Sequence, residues 1–216
     1  ALVIAAPIAI GIALFISHYA PRRFAAVLGY VIDLLAAVPS VVFGLWGAVT
    51  LAGFVQPFYA WLNANLGWFP LFSGQASATG NTILTASLVL AVMILPIMTA
   101  ICREVFLQAP RLHEEAALAL GATRWEMIRM AVLPFARGGM VSAAMLALGR
   151  ALGETMAVTM VLSASGVISV ELLTSTNPTP IPANIALAFP EAHGNGVNTL
   201  IATGLVLFVV TFLVNA

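Results

Sequence analysis

The chain has 216 residues, 62% hydrophobic and 7% charged, with zero formal net charge. A water-soluble domain carries about 25% charge, so this composition places the chain in lipid, where only helices or a closed barrel satisfy the backbone. It contains no lysine, which excludes a phosphate-cradling Gly-Lys-Ser/Thr loop, and it offers no basic face for nucleic acid.

The apolar runs are long and continuous rather than alternating, which selects helices over a barrel. The first covers residues 2–17, about one bilayer at 1.5 Å per residue. No initiator Met precedes it, and the chain is still apolar from Val197 to Val214. The expectation is a fragment or processed chain that begins and ends near membrane spans. Ala20-Pro21-Arg22-Arg23 punctuates the first span. A second is expected over about residues 24–54, interrupted by Asp33 and Pro39. Residues 56–81 carry Phe58, Tyr59, Trp61, Trp68, Phe69 and Phe72, the composition of an interfacial aromatic belt. A third span is expected over about residues 82–101, with Pro96 as a kink.

A charged island follows. Between Arg103 and Arg137 lie nine of the sixteen charged residues. A fourth span over about residues 138–163, a Pro-, Asn-, Gly- and Thr-rich loop over 165–195 and a fifth span complete the chain. The fold class is an all-α, polytopic transmembrane bundle of about five spans. Seven of the eight arginines fall in the loop after the first span or in the island, and Arg150 is the exception. Basic loops face the cytoplasm, so the island is cytoplasmic and the loops near 56–81 and 165–195 face outward. Cys102 stands alone, which leaves no internal disulfide, and His18, His113 and His193 show no metal-ligand spacing.

Within the island, residues 108–134 read as two short helices around a turn. Pro110 suits a helix start, residues 114–120 are strong helix formers, and Gly121 suits the residue just past a helix end. Thr123 to Glu126 matches a capping box, and Pro134 is expected to break the second helix before the fourth span. Glu115 offers a carboxylate to a partner's donors, and Ala116 and Ala117 permit close backbone approach. The alternative is an ordinary loop carrying topogenic arginines.

Arg150 is expected near the centre of the fourth span, with Glu154 one helical turn on and sharing its face. A central arginine costs about 2.5–3.5 kcal/mol on insertion scales, so it must face a protein interior or an aqueous path. Gly149 and Gly153 form a small-xxx-small pair for close helix packing. Two readings of the charges stand. One is an internal bridge holding helices together. The other is an anion path in which Arg150 attracts the anion and Glu154 accepts a hydrogen bond from a protonated one. HPO₄²⁻ can donate that bond and SO₄²⁻ cannot. Asp33 is a second intramembrane charge, a candidate to pair with an arginine on a neighbouring helix that the sequence does not identify.

Glu115-Ala116-Ala117, Gly121 and Leu133-Pro134 resemble the EAA loop of ABC importer permeases of type I, with Ala131 departing from the branched residue often found there. The stretches from Gly149 to Val158 and from Val38 to Gly47 are similar to Pst-type phosphate importers. Thr155-Met156-Ala157-Val158 resembles the C-type rather than the A-type permease subunit. Arg-Ala-x-Gly-Glu alone is shared with sulfate and molybdate permeases, which remain the near alternative; a self-sufficient secondary transporter and a non-transporting membrane scaffold are the distant ones. The resemblance implies a multi-pass bacterial inner-membrane subunit that performs no catalysis. Its EAA loop (Glu115, Ala116, Ala117, Gly121) would sit in a groove of an ATPase dimer that binds ATP and Mg²⁺. Arg150 and Glu154 would line the substrate path. An A-type permease partner and an extracytoplasmic phosphate-binding protein would complete the complex, and an upstream first span and outer domain would be missing from the transmembrane domain spanning residues 1–216.

Overall fold

The computed structural model describes residues 1–162, 165, 167 and 169–215. In chain order the helices are α1 (Leu2–Tyr19), α2 (Arg22–Ala36), α3 (Ser40–Leu66), α4 (Ile83–Leu107), α5 (Arg111–Ala119), α6 (Arg124–Leu152), α7 (Met156–Val161), α8 (Ile181–Ala188) and α9 (Asn195–Asn215). Of these α1, α3, α4, α6 and α9 are long and apolar enough to cross a bilayer. The chain divides into two compact units. One comprises Val38–Ala91 and Gly149–Ala216 with Ala1, the other Leu2–Ala37 and Val92–Leu148.

In the first unit, α3 packs against α7 through glycine. A side chain at Gly44 would lie 2.7 Å from the Ala157 Cα, and one at Gly47 would collide with Val89. The core there joins Ala86, Val89, Ala157, Val158, Val161 and Leu162. A second cluster gathers Val55, Tyr59, Leu62 and Leu173. In lipid such packing is held by close contact rather than by water exclusion. The buried Tyr59 hydroxyl satisfies its polarity on Thr85 Oγ1 at 2.8 Å, and Thr85 in turn donates to the Gly80 carbonyl at 2.5 Å. The segment before α8 folds back onto the start of α4. Asn177 Nδ2 donates to the Asn81 carbonyl at 3.0 Å, and the Ser77 N–H donates to the Leu173 carbonyl at 2.8 Å.

In the second unit, α1 buries Ala5, Ala9 and Ala13 completely. This i, i+4, i+8 stripe lets a neighbour approach closely. The α4 residues Met93, Ile94, Met98, Cys102 and Phe106 are likewise buried. At Gly139 an added side chain would run into Val105, so α6 and α4 touch through a glycine.

The element boundaries differ from expectation at five places. Residues 22–36 form a separate helix, and the second span is Ser40–Leu66. Pro39 bars its predecessor from helical geometry and itself starts the next helix. Asp33 therefore lies on a short helix and not inside a span. The aromatic stretch begins within the span, since Phe58, Tyr59 and Trp61 all lie on α3. Helix α4 continues past residue 101 to Leu107, because buried Cys102 and Phe106 hold its last turns, and it passes Pro96 without ending. Pro134 does not break the chain either. The preceding turns, Ile128–Val132, widen into a π-helix whose hydrogen bonds reach one residue further; this moves the Met130 carbonyl away from the proline ring. Finally α6 ends at Leu152, and the expected end of that span, Ser163, lies outside the described residues. Gly153 disfavours helix, and the chain restarts at α7.

Candidate functional site

Within the charged island the chain folds as an elbow of two helices around a turn. Pro110 begins α5, and the helix ends in a Schellman motif around Gly121, which takes φ +86°. The Ala122 N–H donates to the Ala117 carbonyl at 3.2 Å and the Gly121 N–H to the Leu118 carbonyl at 3.0 Å, the paired bonds of that motif. The expected capping box forms at the next helix. The Glu126 N–H donates to Thr123 Oγ1 at 3.3 Å, and the Thr123 N–H donates to Glu126 Oε2 at 2.8 Å. Both helix ends at the turn are thus closed by local bonds, which fixes the angle between α5 and the start of α6.

On this elbow Glu115 and Ala116 are exposed, whereas Ala117 is buried. Only one of the two alanines faces outward; the other is part of the packing of α5 on the Ile128–Val132 turns. A groove of about 410 Å³ runs between Leu112, Ala116, Leu120, Met130 and Ala131. Leu120 is 89% exposed and Leu112 74%, and Trp125 is also exposed. A contiguous exposed apolar surface of this kind is a candidate interaction site. The small Ala131 side chain helps to open the groove instead of filling it.

Arg150 and Glu154 are not brought together as the sequence suggested. Arg150 stands in the last turn of α6 and is exposed, not central in a span. Glu154 lies beyond the helix break and is half-buried. Its Oε1 accepts a hydrogen bond from the Ala157 N–H at 3.1 Å and closes the start of α7. Glu154 also lines a cavity of about 290 Å³ with Ser87, Ala151, Val158, Thr179 and Pro180. The break at Gly153 separates the two charges onto different elements, so the i, i+4 relation is lost. Of the glycine pair, Gly149 faces another helix, with an added side chain reaching Asn215 Nδ2 at 3.3 Å, while Gly153 meets only its own backbone.

Among the described residues, His18 Nε2 lies 3.6 Å from Glu114 Oε1, and an ion pair joins Arg103 to Glu104 at 3.8 Å. Neither involves Asp33, which lines a cavity with Arg103, Glu104 and Gln108 without pairing. The sequence reading did not single out His18, Arg22, Arg103 and Arg111, which share a second cavity. A signal was present: Ala-Pro-Arg occurs at 20–22 and again at 109–111. Among the described residues no group of three or more His, Cys, Asp or Glu side chains is assembled that could hold a metal ion.

The chain matches, over residues 6–216, the family described as binding-protein-dependent transport system inner membrane component. It is similar to the phosphate transport system permease protein PstC 2 of Mycobacterium tuberculosis, with 53% identity covering all of this chain and 67% of that protein. PstC of Mycobacterium leprae is 51% identical over all of this chain and 68% of its own length. PstC of Mesorhizobium japonicum is 42% identical over all of this chain and 67% of its own length. With an all-helical fold and, among the described residues, five helices long and apolar enough to cross a bilayer, the chain belongs to the binding-protein-dependent transport system inner membrane component family.

Proposed function

We propose that the chain is a C-type permease subunit of an ATP-driven importer of inorganic phosphate. The observation that carries this reading is the similarity, over the whole of this chain and about two thirds of the relatives, to proteins named as phosphate transport permeases, 53% identical in the relative from M. tuberculosis. The exposed apolar elbow supports docking on a separate ATPase dimer, which binds ATP and Mg²⁺ because this lysine-free chain has no P-loop. An A-type permease completes the path, and an extracytoplasmic phosphate-binding protein delivers the cargo.

In this reading Glu115, Ala116 and the groove beside Leu120 contact the ATPase, while Ala117 and Gly121 set the elbow's shape. The helix that starts at the elbow ends two residues past Arg150. ATPase closure displaces the elbow, and a continuous helix carries that displacement along its axis. Arg150, which forms no ion pair among the described residues, supplies a guanidinium for the anion. Glu154 keeps the start of α7 in place, and its second oxygen is available to a protonated anion.

The test is uptake of labelled phosphate by the full-length complex in proteoliposomes. ATP-dependent uptake that a tenfold excess of sulfate leaves unchanged is the expected result. Strong sulfate competition would shift the reading to a sulfate permease, and uptake that persists without the ATPase would replace it with a self-sufficient transporter.

A further inference from the structure

The second unit holds a cavity of about 440 Å³ lined by His18, Arg22, Arg103, Phe106, Arg111 and Glu114. Four elements build it: the end of α1, the start of α2, the end of α4 and the start of α5. Its ionisable lining has three guanidiniums against one carboxylate, and Glu114 is already engaged by His18 at 3.6 Å. The His18 ring is oriented from its other side by Ser17 Oγ, 2.6 Å from Nδ1. Arg103 also lies 3.8 Å from Glu104, outside the cavity.

Two helix N-termini open on the same space. Helices α2 and α5 each begin with Arg directly after Pro, and neither has a side-chain cap. Their first N–H groups and the positive ends of their dipoles favour an anion. A guanidinium presents a planar fork suited to phosphate. Arg103 is held in place by contact with α2, where Gly29 has no side chain; a methyl group there would strike the Arg103 guanidinium. The arginines lie on the side that the charge distribution assigns to the cytoplasm, where anionic headgroups concentrate. The adjoining helix α2 exposes Phe24, Val27, Tyr30 and Leu34, apolar side chains fit to lie among acyl chains.

We propose that this cavity binds a phosphate-type oxyanion at the cytoplasmic face, supplied either by an anionic phospholipid headgroup or by free inorganic phosphate. Because Arg111 and Glu114 belong to α5, an occupant would tie the elbow to α1, α2 and α4. The binding itself does not depend on which cargo the permease carries.

The experiment uses the full-length complex in nanodiscs. In the lipid arm, native mass spectrometry counts phosphatidylglycerol retained after exchange from phosphatidylcholine. In the phosphate arm, equilibrium dialysis in phosphatidylcholine nanodiscs measures labelled phosphate, with Arg150→Gln present throughout to remove the proposed path site. Arg22→Gln combined with Arg103→Gln is expected to weaken the productive arm by about tenfold or more. Gly29→Ala keeps every charge and favours the helix, yet displaces Arg103, and is expected to weaken binding in the same direction. Loss of retained phosphatidylglycerol identifies the lipid, and loss of dialysed phosphate identifies the free ion. If both variants hold both probes as strongly as the parent complex, or the parent holds neither above background, the inference is overturned.

Discussion

Arg150 sits where a helix C-terminus favours a cation, with an exposed side chain and, among the described residues, no carboxylate joined to it. Glu154 instead closes the start of α7 through Ala157. These placements give the two residues separable phenotypes. Arg150→Gln is expected to insert normally and to lower labelled-phosphate uptake by about tenfold or more; uptake at the parent rate would remove Arg150 from the path. Glu154→Gln keeps an oxygen that can accept the Ala157 bond, whereas Glu154→Ala does not. The alanine variant is expected to be less stable by about 1 kcal/mol in thermal unfolding, with the glutamine variant near the parent. Equal stability of all three would dismiss the capping role. The residue types at this site were readable from the sequence, but their pairing was not. The i, i+4 argument holds only within one helix, and Gly153 followed by a side chain able to cap ends that helix.

At the scale of elements, the elbow was the most legible part of the chain. Gly121, Thr123 and Glu126 act through bonds to neighbours within a few residues, so local sequence is enough to specify them. Gly121→Pro would force φ from +86° to about −65° and remove the N–H that bonds Leu118. Insertion is expected to persist while the ATPase fails to co-purify; normal co-purification would count against the coupling role. The α3–α7 contact is the opposite case. Gly44 and Ala157 are far apart in sequence, and nothing local marks their approach. Gly44→Leu is expected to separate the helices and lower the melting temperature of the purified complex, because the added atoms meet Ala157 backbone and not a flexible side-chain end. An unchanged melting temperature would show that α3 can shift freely. Proline was the least reliable marker. Pro39 separates two helices as its steric rule predicts, but Pro134 sits in a continuous helix because the preceding π-turn relieves the clash.

For the whole molecule, the arginine distribution predicts that Leu120 faces the cytoplasm and Trp68 the opposite side. Cys102 is the only cysteine and is buried, so Cys102→Ala provides a background for labelling. In sealed right-side-out vesicles an impermeant maleimide is expected to label Trp68→Cys directly, and Leu120→Cys only after permeabilisation. The reverse pattern would invert the topology. Composition and apolar run length by themselves determined that the chain is helical, membrane-spanning and without a P-loop, because the bilayer leaves the backbone few alternatives and a P-loop needs a lysine. Short-range spacing determined the elbow for the same reason that caps and turns are local. Only the tertiary structure decided that residues 22–36 stand apart from the spans, that Ala117 is buried while Ala116 is exposed, that Arg150 and Glu154 are parted, and that Arg22, Arg103 and Arg111 line one cavity. Each of these depends on which distant side chains fill the space beside a helix, and a periodic apolar pattern does not name its partner.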